Sequence, residues 1–322
     1  MVKVFFLCLF NMFAAKINQI LMKIIKAFSL VFIFILLTYL GYGQKTKNQK
    51  KIKEDNPSTV NLMVTINLED NDNLLMGNPS FSEPITSCDT NFLMVKPQYT
   101  LSYNNKKRIP NWVSWHLCKA DIGEADRNDN FRGDAEIPVG WVKVVPDYYA
   151  KSGFDKGHIC PSADRTSSVE NNSATFLMTN MVPQAPKNNR VTWNQLEAYS
   201  RKLVDAGKEL YIVAGVYGKG GVGANGCAEY IGNGVEVPKS LWKIIAIIPN
   251  GDNDLMRLAN SARIVAVIIP NNQDCSVNPW YSYRVSVDSI ETITGYDFFS
   301  NISDSIQFQI ESKLDTVSIS KN

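Results

Sequence analysis

The sequence predicts an α+β fold with a central, mostly antiparallel sheet flanked by helices. Short apolar runs with strand character recur from about residue 92 onward. Helix-like stretches occur only irregularly between these runs, and no internal repeat is visible. A parallel sheet would require strands and helices to alternate regularly, so the irregular order favours antiparallel pairing.

Runs rich in β-branched and aromatic residues predict the strands of this sheet, and they are separated by polar or glycine-rich stretches. The predicted strands cover residues 93–95, 99–103, 112–117, 140–145, 210–215, 237–248 and 262–269. The polar and acidic segment 120–138 predicts a loop, and the glycine-rich segment 218–234 predicts a loop or an open hairpin. A short helix is expected over 287–294.

The first 43 residues have the layout of a secretory signal peptide. Residues 22–26 carry two lysines, residues 27–40 are almost continuously apolar, and residues 41–43 offer a small-x-small cleavage site. An uncleaved membrane anchor is the alternative, because residues 5–15 add a second apolar patch. The main apolar run is short for a bilayer span, which favours cleavage. Translation starting at Met22 would leave residues 1–21 as an upstream extension.

The remaining chain is predicted to contain a poorly ordered linker over 44–90, one folded domain over 91–315 and a polar tail over 316–322. The signal segment holds four of the 33 basic residues and none of the 31 acidic ones, so 29 basic residues remain against 31 acidic. A nucleic-acid partner therefore needs a local basic groove. The signal predicts a secreted or periplasmic protein with no stable membrane partner after cleavage.

Five cysteines remain beyond the signal segment, which leaves at least one of them as a free thiol or in an intermolecular bridge. Their spacing is wide and irregular and includes no Cys-x-x-Cys pair, which argues against a zinc knuckle. One or two disulfides are open in an oxidising compartment. The five are Cys88, Cys118, Cys160, Cys227 and Cys275.

Residues 154–161 hold His158, one of only two histidines, and predict a strand. Asp155 and Lys156 place both signs of charge beside the ring, and Pro161 ends the strand. We therefore expect the ring at an accessible edge. An imidazole near its ordinary pKa could there take a proton from water at neutral pH.

Cys160 and His116 offer alternative chemistry. Cys160 lies two residues beyond His158, on the same face of a strand, so a Cys-His nucleophile is conceivable. No second histidine or orienting group supports that arrangement, and a buried or disulfide-bonded cysteine is favoured. His116 is expected to be a strand histidine with a satisfied hydrogen bond, because no helical His pair or cysteine cluster accompanies it.

A second strand over 174–184 and a helix over 188–201 are predicted to complete a unit around His158. Asn188 or Asn189 is a candidate N-cap of the helix. Glu197 and Arg201 have the favourable acid-before-base spacing of a helical ion pair. Asn189 and Glu197 are eight residues apart, about 80° around a helix axis, so they share one side. An amide oxygen there suits Mg²⁺, which takes few protein ligands.

Several ordered motifs together resemble the DNA/RNA non-specific endonucleases, the ββα-metal (His-Me finger) nucleases. The central motif is Asp-Lys-Gly-His at 155–158, where the family has Asp-Arg-Gly-His. The resemblance covers about residues 93–312. Further matching motifs lie at 111–115, 125–131, 161–165, 179–184, 188–190, 193–197 and 237–242.

The resemblance implies a role for each matching residue. His158 resembles the general base, and Asn189 the single direct protein ligand of Mg²⁺, for which Mn²⁺ is a substitute. Glu197 resembles the acid that holds metal-bound water, and Arg127 the arginine at the scissile phosphate. The other matching positions, which support the site, are Asp155, Lys156, Asn180 and Arg201.

The resemblance implies an endonuclease that hydrolyses DNA and RNA without sequence preference and leaves 5′-phosphates, and the signal segment predicts that it is secreted. The chemistry agrees, because phosphodiester cleavage needs a base, a cation at the leaving oxygen and compensation for negative charge. Lys156 departs from the family arginine and lacks its planar fork. Two alternatives stay open, a nucleic-acid-binding protein without turnover and a phosphodiesterase of narrower range. A homodimer is also open, since some family members dimerise.

Overall fold

The computed structural model describes residues 72–319, so the predicted signal segment and most of the predicted linker lie outside the described residues. The strands are β1 (Phe92–Val95), β2 (Thr100–Asn104), β3 (Ile109–Leu117), β4 (Asp155–His158), β5 (Met181–Gln184), β6 (Lys208–Tyr217), β7 (Gly221–Gly223), β8 (Gly226–Ala228), β9 (Tyr230–Ile231), β10 (Val235–Glu236), β11 (Ser240–Pro249), β12 (Arg263–Pro270) and β13 (Arg284–Val285). The α-helices are α1 (Val169–Ala174), α2 (Asn194–Asp205), α3 (Asp254–Ser261), α4 (Val287–Thr294) and α5 (Asp304–Glu311).

Shorter helical segments connect these elements. A π-helical stretch, Asn188–Trp193, runs directly into α2. The 3₁₀ turns are Lys119–Asp121, Pro146–Tyr149, Ser162–Asp164, Met178–Asn180, Asp274–Val277 and Trp280–Tyr283. Within the described part of the chain, no helix combines the length and the apolar character needed to cross a membrane.

Seven strands form one sheet in the order β1-β2-β3-β6-β11-β12-β13, and every neighbouring pair is antiparallel. This confirms the predicted central antiparallel sheet with flanking helices. Six of the seven strands predicted for it are formed, and α4 lies where a helix was expected. The glycine-rich segment forms two small hairpins, β7–β8 and β9–β10.

The strand predicted over 140–145 is not formed, since this segment has no ladder partner. Its bulky residues pack onto the domain by their side chains instead. The Trp141 ring lies edge-on to Phe92 with 5.1 Å between ring centroids, and Val144 is buried. The run of large apolar residues therefore correctly indicated burial, but it did not indicate strand pairing.

The packed domain begins earlier than predicted. The segment 72–90 was assigned to the linker, yet Leu75 and Met76 are buried in the core and Glu83 bridges to Phe92. Scattered Asn, Ser and Pro residues in this segment form turns. Their polar character predicted a linker, although two apolar side chains between them are buried. At the other end, Asp315 is buried and accepts hydrogen bonds from Arg263.

The two faces of the sheet carry separate apolar layers, and β11 shows the alternation that creates them. Leu241 and Ile245 belong to one layer, and Trp242 and Ile244 to the other. The first layer also contains Trp193 of the π-helical stretch, so it lies under the predicted catalytic unit. The second layer is covered by residues of α3 and α4, which include Leu258, Val287 and Ile290.

The catalytic unit stands on the first layer as a small hairpin followed by a helix. Strands β4 and β5 pair antiparallel, with Asp155 opposite Gln184 and His158 opposite Met181. Only the end of the predicted strand 174–184 is extended, because residues up to 180 complete α1 and a 3₁₀ turn. The hairpin and α2 form the predicted ββα arrangement.

Candidate active site

His158 lies at the end of β4 with its ring almost enclosed. It is 9% exposed, and the rings of Phe131 and Phe176 meet it edge-on at centroid distances of 5.4 and 4.9 Å. Its Nε2 has no hydrogen-bond partner among the described residues. The expectation of an openly accessible ring is therefore wrong, because two aromatic side chains from neighbouring segments cover it.

The ring's acid–base behaviour also differs from the prediction. Burial lowers the pKa of His158 to about 3, and the positive charges of Arg127 and Lys156 lower it further. Desolvation and like charge both disfavour imidazolium. The ring is therefore neutral throughout the physiological pH range, and its unpartnered Nε2 is available to accept a proton.

Arg127 and Lys156 are held beside His158 by contacts with the same two aromatic rings. The Arg127 guanidinium carbon lies 4.9 Å from the Phe176 centroid, and Lys156 Nζ lies 4.7 Å from the Phe131 centroid. Cation–π contacts of this kind hold a charge in place without neutralising it. Arg127 also donates to Ser162 Oγ at 2.7 Å and to Asp129 at 2.7 Å. The predicted loop 120–138 thus delivers a cation to the histidine.

Asp155 organises the outer side of the unit. Its carboxylate accepts two hydrogen bonds from Arg190, at 2.7 and 2.8 Å, and one from Asn189 Nδ2 at 2.9 Å. Because Nδ2 is engaged, the amide orientation of Asn189 is fixed. The amide oxygen of Asn189 makes no hydrogen bond within residues 72–319, which leaves it available to a cation.

Neither asparagine caps the helix as predicted. The helical turn already begins at Pro186, and Lys187 precedes the π-helical stretch without a side-chain cap. Asn188 accepts from Gln184 at 2.7 Å and donates to the Pro270 carbonyl at 2.7 Å. The wider π-helical turn also changes the angle between Asn189 and Glu197, so the ideal-helix figure does not apply.

Glu197 points into the first apolar layer and meets a buried lysine. Lys243 Nζ lies 3.9 Å from Glu197 Oε1, and the side chain of Lys243 is 1% exposed. Burial raises the pKa of Glu197 to about 7, while the charges of Lys243, Arg201 and Arg127 oppose the rise. Burial likewise lowers the pKa of Lys243, and Glu197 opposes that shift. We read the two as an ion pair, because each charge supports the other.

Lys243 is a buried cation of the candidate site that the sequence patterns above did not predict. Its ammonium lies between the indole rings of Trp193, at 4.3 Å, and Trp115, at 5.4 Å. It is a single cation inside the run Leu-Trp-Lys-Ile-Ile-Ala-Ile-Ile at 241–248. A lysine is almost never fully buried without a partner, so its position in that run was a usable signal.

Arg201 does not form the predicted helical ion pair with Glu197. It donates to Asp164 at 2.9 Å, and Asp164 also accepts from the Trp115 indole at 3.1 Å. Asp164 is 1% exposed, so its carboxylate requires these donors. Arg201 still lowers the pKa of Glu197 through space, which places it at the edge of the site.

Asn180 supports the site from beneath and faces no substrate. Its amide donates to the carbonyls of Cys160 and Thr175 at 2.8 and 2.9 Å and accepts from the Cys160 N–H at 2.9 Å. These bonds fix the chain that follows His158. Burial raises the pKa of the Cys160 thiol, which disfavours the thiolate that a Cys-His nucleophile needs. All five cysteines of the described chain are free.

His116 lies apart from this group, as expected. Its Nε2 is 3.3 Å from Glu209 Oε2, and burial lowers its pKa although neighbouring carboxylates oppose the shift. The structure thus gathers His158, Arg127 and Lys156 on one side and Glu197, Lys243 and Arg201 on the other. Arg127 connects the two sides, since its charge acts on both His158 and Glu197.

The available donors fit a hard, hydrated cation. They are a free amide oxygen on Asn189 and a buried carboxylate on Glu197, and among residues 72–319 no thiolate or imidazole pair that would favour zinc or copper lies with them. The catalytic and metal-binding roles of these residues remain predictions, for which this arrangement supplies the geometry.

Comparison with known proteins identifies the family. Residues 77–305 match the sequence model of the DNA/RNA non-specific endonucleases. A nuclease of Nostoc sp. is 52% identical over 242 residues, which cover 75% of this chain and 85% of that protein. The mitochondrial nuclease EXOG of Danio rerio is 32% identical over 208 residues, covering 62% of this chain and 59% of that protein.

A solved structure confirms the fold. The EndoG/EndoGI complex contains a chain that superposes with a TM-score of 0.59 at 25% identity, covering 72% of this chain and 91% of that one. The chain spans only about three fifths of the zebrafish relative but most of the Nostoc nuclease. The chain therefore belongs to the DNA/RNA non-specific endonuclease family of ββα-metal nucleases and is a metal-dependent endonuclease.

Proposed function

We propose that this endonuclease is a secreted, Mg²⁺-dependent enzyme that cuts DNA and RNA without sequence preference. The observation that carries the proposal is the buried, neutral His158, whose free Nε2 lies beside two cations that it does not bond. A general base needs an acceptor nitrogen that no protein group occupies, and a phosphodiester needs cations beside that base.

In the proposed reaction, His158 Nε2 takes a proton from a water molecule whose oxygen attacks the phosphorus. The P–O3′ bond breaks, which leaves a 5′-phosphate and a 3′-hydroxyl. Arg127 and Lys156 hold the phosphate oxygens and offset the added negative charge. A bound phosphodiester also cancels part of their effect on the ring, so it raises the pKa of His158 towards the working pH.

Asn189 and Glu197 would hold the metal ion, Asn189 directly and Glu197 through bound water. The bound ion would supply positive charge at the leaving oxygen. Lys243 acts through Glu197, because its charge keeps that buried carboxylate ionised. Asp155 acts through Asn189, because its hydrogen bond to Nδ2 turns the amide oxygen outward.

The proposed indifference to sequence rests on which part of the substrate the site can hold. The cations near His158 recognise phosphate, and phosphate contacts carry no base information. Secretion is proposed from the signal-like residues 22–43. The protein would then meet nucleic acid and divalent cations outside the cytoplasm.

The direct test is digestion of plasmid DNA and of RNA by protein beginning at Gln44, with Mg²⁺, with Mn²⁺ and with EDTA. His158→Ala is expected to reduce cutting of both substrates by about 10²–10⁴-fold while the fold is kept. His116→Gln is the matched control, since it alters the other histidine and retains a hydrogen-bonding side chain, and it should cut normally.

Four results would overturn parts of this proposal. Cutting that survives His158→Ala would remove the histidine from its role as base. Cutting that survives EDTA would remove the metal. A folded protein that binds but never cuts nucleic acid would instead be a binding protein, and cutting confined to single strands or dinucleotides would indicate a phosphodiesterase of narrower range.

A further inference from the structure

Three carboxylates meet on the side of the domain opposite the catalytic unit. Asp288 and Glu291 are three residues apart on α4, so they share one face of that helix. Glu311 is the last residue of the terminal helix α5. One carboxylate oxygen from each lies within 4.8 Å of the others.

Among the residues that the structure describes, no cation pairs with this group, which we call the carboxylate triad. None of the three forms an ion pair with any residue in 72–319, although Glu311 is only 6% exposed. Oε1 of Glu311 is buried without any hydrogen-bond partner among those residues. Glu291 accepts one hydrogen bond, from the Phe298 N–H at 2.9 Å. A buried carboxylate that has an unpartnered oxygen and lies beside two further carboxylates is costly unless a positive charge joins them.

Other buried carboxylates of this domain are matched by protein cations. Asp315 is bonded by Arg263 and Arg284, and Glu209 is paired with Arg257. At the triad, burial and the negative charges of Glu291, Asp288 and Asp297 together raise the pKa of Glu311 to about 8. The pKa of Glu291 is raised as well, mainly by burial. The triad therefore differs from these other buried carboxylates, because no arginine or lysine of residues 72–319 pairs with it.

The geometry of the triad suits calcium. Ca²⁺ binds oxygens at 2.3–2.6 Å, so two oxygens on one ion lie no more than about 5 Å apart. One oxygen from each of the three carboxylates lies within 4.8 Å of the others, which meets that condition. Ca²⁺ accepts several carboxylates in a flexible arrangement, whereas Mg²⁺ usually takes one or two and demands octahedral geometry. Asp288 is exposed, which gives the ion a path from solvent and room for water ligands.

We propose that Asp288, Glu291 and Glu311 form a Ca²⁺ site that joins the terminal helix α5 to α4. The site would contribute stability and no chemistry, since the central sheet separates it from His158. It does not depend on the proposed nuclease mechanism. Its consequence is that the folded domain is more stable where free Ca²⁺ is abundant.

The test is thermal unfolding of the chain from Gln44, carrying Asn189→Ala so that the catalytic metal site does not respond. At pH 8, adding 1 mM CaCl₂ after EDTA treatment is expected to raise the Tm by about 3–8 °C. Calorimetric titration with CaCl₂ should show one binding event. Mg²⁺ at the same concentration should produce a smaller shift.

Two variants and one control decide whether the triad is responsible. Glu311→Gln removes a charge at constant shape, so it should abolish the Ca²⁺ shift and melt above the parent protein in EDTA. Asp288→Asn changes an exposed residue that folding does not require, and it should weaken Ca²⁺ binding about tenfold or more. Asp304→Asn, on α5 but outside the triad, should keep the full shift.

Two outcomes would overturn the site. The first is a Tm of the parent protein that does not change up to 10 mM Ca²⁺ at pH 8. The triad would then hold a shared proton and no metal. The second is a Ca²⁺ shift that persists in both Glu311→Gln and Asp288→Asn, which would place the ion elsewhere.

Discussion

The two sides of the central sheet bury acidic groups in opposite ways. Under the catalytic unit, Glu197 lies beside Lys243 and Asp164 beside Arg201, so each carboxylate has a cation from the chain itself. Across the sheet, Glu311 has only other carboxylates for neighbours in the triad. In the first arrangement, the chain itself supplies the countercharge to each buried carboxylate. The second makes stability depend on the ions and protons that the solution supplies.

Removing Lys243 should break the first arrangement and have the largest effect. Lys243→Met leaves Glu197 buried without its nearest cation, which is expected to cost about 3–5 kcal/mol of unfolding free energy. The pKa of Glu197 should rise above its present value of about 7, so activity at neutral pH should also fall. Urea unfolding and a pH–rate profile measure the two effects.

A second variant separates stability from catalysis. Lys243→Met combined with Glu197→Gln removes both charges together and should recover most of the lost stability, because replacing a whole buried pair is often neutral. Activity should stay low, since the ionised carboxylate is gone. Recovery of activity in the double variant would show that Glu197 has no part in the reaction.

A lysine placed in the carboxylate triad should give its buried acid a cation from the chain, as Glu197 already has on the other side of the sheet. Asp288→Lys places an ammonium next to Glu291 and Glu311 at an exposed position. Stability in EDTA should rise by about 1 kcal/mol, and the response to Ca²⁺ should disappear. Thermal unfolding with and without CaCl₂ checks this, and Asp304→Lys on the neighbouring helix is the control for added charge alone.

The pH dependence of the unfolding free energy should reflect the protonation of Glu197 on one side of the sheet and of Glu311 on the other. The pKa values of Glu197 and Glu311 are raised in the folded state, to about 7 and about 8. The folded protein therefore binds more protons than the unfolded chain, so stability should fall as pH rises from about 4.5 through these values. Glu311→Gln should remove the upper part of the decline, and CaCl₂ should oppose it. A flat profile in EDTA would contradict both shifts.

The smallest effect is expected at Lys156, which acts on His158 through space. Lys156→Met should raise the pKa of His158 slightly, while burial keeps it below its ordinary value. NMR titration can follow this directly, because the chain has only two histidines and His116 serves as an internal reference. Lys156→Arg restores the family motif and should leave the ring's pKa unchanged.

Local sequence patterns predicted most strands of the central sheet and the histidine at the centre of the candidate site. Continuous apolar runs rich in β-branched residues predicted β6, β11 and β12 correctly. Such runs are typical of central strands, because both faces of these strands are buried. The motif at 155–158 located His158 and its hairpin. The apolar run at 140–145 gave a wrong strand prediction. Its bulky side chains pack onto the domain, but its backbone pairs with no strand.

The environment of the site could not be predicted from local patterns. Phe131 and Phe176 enclose His158, yet both are distant from it in sequence and neither stands in a motif that marks a base. The low pKa of the ring follows from that enclosure. The same holds for the pair of Glu197 with Lys243, which joins a helix to a strand 46 residues away. Only tertiary packing creates either environment.

The π-helical stretch before α2 has a consequence for how this segment tolerates change. Asn188 turns inward to Gln184 and Pro270, while the adjacent Asn189 turns outward to Asp155. Removing one residue between Asn189 and Trp193 would favour an ordinary α-helix and rotate the preceding residues by about 100°. The segment should therefore accept many replacements at its exposed positions but no deletion, since its length sets the direction of the Asn189 amide.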